Sequence, residues 1–132
     1  MTDDRIEPIW LEADIALAIH DRQLAEHGGP SGVRDHGLLE SALAKPINKW
    51  LYGESDLCAL AAAYAFGVAR NHPFADGNKR TAWVLARTFL VLNDLQLRFD
   101  REEAIVLVQT LAAGELPEED LASWFHEHLV EN

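Results

Sequence analysis

Hydrophobic residues along this chain recur mostly at helical spacing, and alternating runs of β-branched residues are few. Gly28, Gly29 and Pro30 end the first periodic segment, and Pro46 is expected to stop the second because proline disrupts a helix interior. The pattern predicts helices at about residues 12–27, 36–44, 57–70, 78–93, 101–112 and 117–129. We therefore predict an all-α fold, a compact helical bundle.

Two of the predicted helices are more apolar than the rest. The segment 57–70 reads LCALAAAYAFGVAR and is apolar on nearly every side, which is typical of a buried central helix. The segment 78–93 is the second, and the short stretch 71–77 joins them through Pro73 and Gly77. Irregular backbone fixed between two rigid helices can hold polar groups in place, so we expect the chemistry there.

The stretch 47–53 is expected to be a connection, and it is unusually aromatic for one. Lys49, Trp50 and Tyr52 are candidates for docking a protein substrate, because aromatic side chains are enriched in interfaces. The alternative is that both rings pack back on the core.

Length and composition restrict the class of protein. The chain has 132 residues, 48% of them hydrophobic, which fits one globular domain over 1–132. The single cysteine, Cys58, excludes an intramolecular disulfide and a zinc cage of several thiolates. The acidic start MTDDRIEP lacks the layout of a signal peptide. The longest apolar run, residues 59–69, is shorter than the roughly 18–20 residues of a membrane span. We expect a cytoplasmic protein without a membrane partner.

The formal net charge of −11 is distributed unevenly. Residues 1–40 carry −6, residues 41–99 carry +3 and residues 100–132 carry −8. A sequence-independent nucleic-acid binder needs a broad basic surface, so we expect no direct binding of DNA or RNA. A small cationic region suits a compact anion such as a nucleotide phosphate, although from charge alone the middle could simply be less acidic.

The segment RNHPFADGNKRTA, residues 70–82, concentrates the candidate chemistry. A helix beginning at Gly77 and Asn78 presents unpaired N–H groups to an anion, and Lys79 and Arg80 add positive charge where the helix dipole disfavours it. Asp76 is a hard oxygen ligand suited to Mg²⁺, and His72 can accept a proton near pH 7. Each residue also has a plain alternative, as a turn former, a cap, a solvated cation or a structural histidine.

The nine residues HPFADGNKR, 72–80, closely resemble the core motif of the Fic/Doc family, His-x-Phe-x-Asp/Glu-Gly-Asn-x-Arg. The form KRTA at 79–82, the stretch GGPSGVRDHGLLESALAKP at 28–46 and His20 resemble the Doc branch of that family. The resemblance spans about residues 10–100.

The resemblance implies a set of residue roles. His72 would be the base on a target hydroxyl, and Asp76 would hold Mg²⁺. Gly77, Asn78 and Arg80 would bind nucleotide phosphates, while Arg70 would help to neutralise phosphate. Independently of the resemblance, the Lys79 ammonium adds a charge that can hold a terminal phosphate. A Doc-type toxin transfers the γ-phosphate of ATP to a Ser/Thr hydroxyl of a translation factor, here expected to be elongation factor Tu, and so arrests growth. A cognate antitoxin would cover the site with its C-terminal segment.

Two departures from the Fic pattern bear on the reaction. Lys79 stands where Fic enzymes have a second glycine, and Trp83 stands where they have a second arginine. Both weaken the alternative of nucleotidyl (AMP) transfer to a protein hydroxyl. A non-catalytic fold that only binds a nucleotide or a partner is the remaining alternative.

Other polar residues are expected to play lesser parts. Ser123 and Glu127 have the spacing of a Fic inhibitory helix, but His128 replaces its final Gly or Asn, so an antitoxin in trans is favoured over self-inhibition. His126 and His128 point to different helix faces and make a poor metal pair. Arg87 is expected to form a salt bridge.

Overall fold

The computed structural model describes residues 5–130, and these form six α-helices without a β-strand. Only two isolated β-bridges, Val33 with Phe74 and Leu97 with Leu129, accompany them in this part of the chain. The predicted all-α class is confirmed. Residues 1–4 and 131–132 of the predicted domain lie outside the described residues. The helices are α1 (Ala13–His27), α2 (His36–Leu51), α3 (Leu57–Asn71), α4 (Asn78–Leu92), α5 (Arg101–Ala112) and α6 (Glu118–Glu127).

Helix α3 forms the centre of the molecule and packs against α2, α4 and α6. Its small side chains allow this close approach, since a Cβ added to Gly67 would lie 3.1 Å from the Ala42 backbone of α2. The predicted central position of this helix is therefore confirmed. Its buried residues are Cys58, Leu60, Ala61, Ala62, Ala63, Tyr64, Ala65, Gly67 and Val68.

Helix α2 does not end at Pro46, so that prediction was wrong. The helix continues to Leu51, with Pro46 buried inside it. An internal proline costs a helix about 3 kcal/mol. Here the ring packs on the same buried face as Leu39, Ala42 and Leu43, and burial of that face outweighs the lost hydrogen bond. The stretch 47–53 is consequently helix followed by a turn, and not the expected connection.

Aromatic side chains pack around the central helices. Trp83 of α4 lies 5.3 Å from Phe99 and 5.7 Å from Trp124, measured between ring centroids. The Arg87 guanidinium lies over two of these rings, 5.5 Å from the centroid of Trp83 and 5.0 Å from that of Phe99. Among residues 5–130 Arg87 forms no ion pair but makes these cation–π contacts, so the predicted salt bridge was wrong. No helix among the described residues is long and apolar enough to cross a membrane.

Candidate active site

The loop that joins α3 to α4 turns on two residues in the left-handed region. His72 follows the last residue of α3 with φ 49° and ψ 55°, and Gly77 precedes the first residue of α4 with φ 77°. A non-glycine residue in this region is uncommon and is held there by its surroundings. The side chain of His72 is exposed, whereas Pro73 and Phe74 are buried.

Buried side chains fix the loop from beneath. The Asn78 amide donates to the Phe74 carbonyl and accepts from the Phe74 N–H, both at 3.0 Å. His20 of α1 stacks on the Phe74 ring at a centroid distance of 3.8 Å, and its Nε2–H donates to the Asp76 carbonyl at 2.7 Å. The side chain of Asn78 is therefore engaged with the loop, and its backbone N–H is the group left for an anion.

The segment after α1 braces the loop from the side. Arg34 donates from its guanidinium to the carbonyls of Asn71 and His72, at 3.1 and 2.9 Å. The Pro73 carbonyl accepts from the Arg34 backbone N–H at 2.7 Å. These bonds hold the end of α3, and with it the backbone of His72, against residues 28–35.

A cleft of about 740 Å³ opens over this loop. Its walls come from the end of α1, the α3–α4 loop, the first turn of α4 and Val108 of α5. The structure thus brings most of the predicted catalytic, phosphate-binding and metal-binding residues to one cavity. Those that line it are His72, Asp76, Gly77, Asn78, Lys79 and Arg80.

The Asp76 carboxylate is held at the edge of this cleft. Its Oδ1 accepts the Gly77 N–H at 2.8 Å. Its Oδ2 lies beside Gly29, close enough that a Cβ at Gly29 would come within 2.6 Å of it. The side chain is exposed, so an oxygen ligand for a hard cation such as Mg²⁺ faces the cleft.

Positive charge at the start of α4 is uncompensated. The first turn holds no acidic residue, and Gly77 provides no side-chain cap. Lys79 and Arg80 are exposed and form no ion pair or hydrogen bond with another side chain in residues 5–130. By contrast, Lys45 and Lys49 both pair with Glu118. Free amides, the helix dipole and two cations together favour an anion in the cleft.

Other predicted residues lie outside the cleft. Arg70, Lys49 and Tyr52 line a separate groove of about 840 Å³ between α2 and α3. Tyr52 is 92% exposed, whereas Trp50 packs edge-on against Trp10 at a centroid distance of 6.2 Å. Trp50 thus follows the alternative of packing on the core, and Tyr52 remains available to a partner.

An apolar groove of about 640 Å³ continues from the cleft between α1, α4 and α5. It shares His27, Arg80 and Val108 with the cleft and is otherwise lined largely by Trp83, Phe99 and Ile105. Glu127 is exposed and forms no ion pair with Arg80 within the described part of the chain.

Three supporting residues were not predicted in these roles. His20 and Arg34 entered the sequence analysis only as parts of the resemblance, and Gly29 only as part of the segment that ends the first helix. His20 and Asp76 are 56 residues apart in the sequence, and Arg34 and His72 are 38 apart. No local sequence pattern therefore predicts these contacts. Gly77 was predicted only to permit the close approach of a ligand. Its positive φ has the same origin, because glycine lacks a Cβ.

Comparison with known proteins places this arrangement in a family. The model of the Fic/DOC family matches residues 10–90, which include α1 to α3, the whole loop and most of α4. Toxin Doc of Mycolicibacterium smegmatis is 42% identical over 101 residues, covering 73% of this chain and 77% of that protein. Protein kinase doc of Escherichia phage P1 is 37% identical over 101 residues, covering 76% and 79%. The chain belongs to the Fic/Doc family, as the resemblance predicted.

Proposed function

We propose that this protein is a Doc-type toxin that transfers the γ-phosphate of ATP to a Ser or Thr hydroxyl of a translation factor. One observation carries the proposal. An exposed imidazole and an uncompensated cationic helix start line the same cleft, His72 supplying the first and Lys79 with Arg80 the second. The relatives named toxin and protein kinase support the same class of activity.

The proposed reaction uses these residues. The target hydroxyl loses its proton to His72, and its oxygen attacks the γ-phosphorus. The bond from that phosphorus to the β–γ bridging oxygen breaks, and ADP leaves. Lys79, Arg80 and the amides at the start of α4 offset the charge on the transferred group, so that positioning and electrostatics supply most of the catalysis.

The residues present fit a magnesium nucleotide. Asp76 offers an exposed carboxylate oxygen beside the anion-binding amides, which is the donor type that Mg²⁺ prefers when it bridges phosphates. When bound there, Mg²⁺ would neutralise phosphate charge. The cations at the start of α4 would hold the phosphates.

The departure at Trp83 supports phosphoryl over nucleotidyl transfer. The ring is part of an aromatic cluster with Phe99, Trp124 and Phe125, and it lines the apolar groove. It therefore offers no charge to a second phosphate at this position. AMP transfer remains the alternative against which the assay is designed.

Two partners complete the proposal. We infer that an antitoxin segment covers the cleft from the apolar groove, because the half-exposed Ile105 and the ring of Trp83 offer it a continuous apolar surface. Elongation factor Tu is the proposed protein substrate. This substrate would approach His72 from the groove between α2 and α3, which Arg70 and Tyr52 line.

The test compares ATP labelled at the α- or the γ-phosphate, with Mg²⁺ and purified elongation factor Tu. Transfer of the γ-label alone supports the proposal, and transfer of the α-label would replace it with nucleotidyl transfer. His72→Ala should abolish transfer while leaving the melting temperature unchanged, because the side chain is exposed. His36→Ala, an exposed histidine of α2 outside the cleft, is the matched control. Full activity in His72→Ala would exclude this residue as the base.

A further inference from the structure

Three side chains with metal-ligand chemistry meet at the other end of α3. Asp56 caps the helix, and its Oδ1 accepts the Cys58 N–H at 2.9 Å. Its Oδ2 lies 2.6 Å from Nε2 of His126, which α6 carries in its last turn. The thiol of Cys58 lies beside them, and one ligand atom of each residue lies within 4.8 Å of the other two.

This set differs from an ordinary capping pair. The cap uses only one oxygen of Asp56 and fixes the carboxylate, so that the other oxygen faces His126 and Cys58. His128 and Glu103 form a comparable histidine–carboxylate pair at 2.6 Å, but no cysteine joins it. The cluster therefore adds a sulfur ligand where an ion pair alone would need none.

The donor set selects the kind of ion. One sulfur, one imidazole nitrogen and one carboxylate oxygen are the ligands of Zn²⁺, whereas Mg²⁺ and Ca²⁺ prefer oxygen throughout. Metal–ligand bonds of about 2.0–2.3 Å place tetrahedral ligands about 3.3–3.6 Å apart. The three ligand atoms now lie between 2.6 Å and at most 4.8 Å from one another, so side-chain movements of about 1 Å would bring them to these distances.

We propose that Asp56, Cys58 and His126 form a Zn²⁺ site, with water as the fourth ligand. The Cys58 thiol is buried, while the side chains of Asp56 and His126 are 39% and 52% exposed and leave a path for the ion from solvent. Binding forms a Zn–S bond and releases the thiol proton to solvent. His126 gives up to solvent the Nε2 proton that it donates to Asp56 in the metal-free protein, binds the ion through that lone pair and carries a proton on Nδ1.

The site is structural and separate from the cleft. The 15 residues of α3 place its first turn about 22 Å from the end that leads to His72. An ion held by Asp56, Cys58 and His126 would tie α6 to the beginning of α3. The consequence is a zinc-dependent rise in melting temperature that does not depend on nucleotide.

The experiment uses the full chain without a polyhistidine tag, stripped with chelator and titrated with Co²⁺. We expect one equivalent to bind with a thiolate-to-cobalt charge-transfer band, which Zn²⁺ then removes. Because Cys58 is the only cysteine, the band reports this thiol. No band, or binding without any effect of Zn²⁺ on melting, would overturn the proposal.

Variants separate the site from general metal affinity. Loss of a second-shell partner weakens metal binding by about 10–100-fold, so removing a direct ligand in His126→Asn should cost at least as much. Cys58→Ala removes a second ligand, but this residue is buried and the substitution can impair folding; His126 is exposed, so His126→Asn tests the site without that risk. His128→Asn is the matched control and should leave Co²⁺ affinity unchanged. Equal Co²⁺ affinity in His126→Asn and the wild type would refute the site.

Discussion

Substitution of Gly29 by alanine offers a direct test of the metal-binding role of Asp76. A Cβ at Gly29 would lie 2.6 Å from Oδ2 of Asp76, against an ordinary contact of about 3.5 Å, so the carboxylate must move by about 0.9 Å. Oδ1 is held by the Gly77 N–H, and the displacement therefore falls on the other oxygen. Misplacement of a catalytic group by 1 Å can cost about 100-fold. We expect half-maximal transfer to need about 10–100-fold more Mg²⁺.

The control for Gly29→Ala is Gly32→Ala. Both glycines have positive φ, +120° and +107°, but a Cβ at Gly32 meets no atom within 4 Å. Each substitution should cost about 1–3 kcal/mol of backbone strain, measured by urea unfolding. Only Gly29→Ala should change the Mg²⁺ dependence, measured below the melting temperature of both variants. The same Mg²⁺ dependence in the two variants would refute the assignment of Asp76.

Three further changes test the supports of the site and the fold. His20→Phe keeps a ring over Phe74 but loses the hydrogen bond to Asp76, so it should lower the unfolding free energy by about 0.5–1.5 kcal/mol, and a wild-type value would contradict the bond. Thr81→Val should raise the unfolding free energy by about 1 kcal/mol, because among the described residues the buried Thr81 hydroxyl has no hydrogen-bond partner. A lower unfolding free energy in urea would show that the hydroxyl does have a partner. Burial opposes ionisation of Glu118, but Lys49 and Lys45 outweigh it and lower its pKa below the usual 4.5. Glu118→Gln should therefore be less stable than the wild type above pH 4.5, with the difference lost as the pH falls through the lowered pKa. A difference independent of pH would contradict that pair.

The sequence carried enough local information to predict most helices, because their signals are local. Asp35 and Asp56 cap α2 and α3 through side-chain bonds to Leu38 and Cys58, and the apolar composition of α3 matches its central position. The prediction that Pro46 ends α2 failed because the cost of a proline in a helix is a local effect, whereas the burial that offsets it comes from packing against α3. For Arg87 one contact follows from local spacing, since Trp83 stands four residues earlier on α4, whereas Phe99 lies beyond that helix and reaches Arg87 only through the fold.

The candidate site was predictable in its motif and not in its supports. Residues 72–80 are contiguous, so their chemistry can be read together. The hydrogen bonds of His20 and Arg34 cross long stretches of chain, and the same holds for His126 and Asp56, which are 70 residues apart. Such pairs depend on the packing of whole helices, which no short pattern encodes.

The buried alanines of α3 leave no space for larger side chains at the centre of the protein. Ala61, Ala62 and Ala63 are completely buried, with neighbouring helices on several sides. A single added methyl group there would push neighbouring backbone and side chains aside, at a cost of about 1–3 kcal/mol. Since His72 follows directly on α3, such a push would also displace the imidazole. In a genetic screen for inactive alleles, substitutions at these alanines should therefore appear beside those in the loop itself.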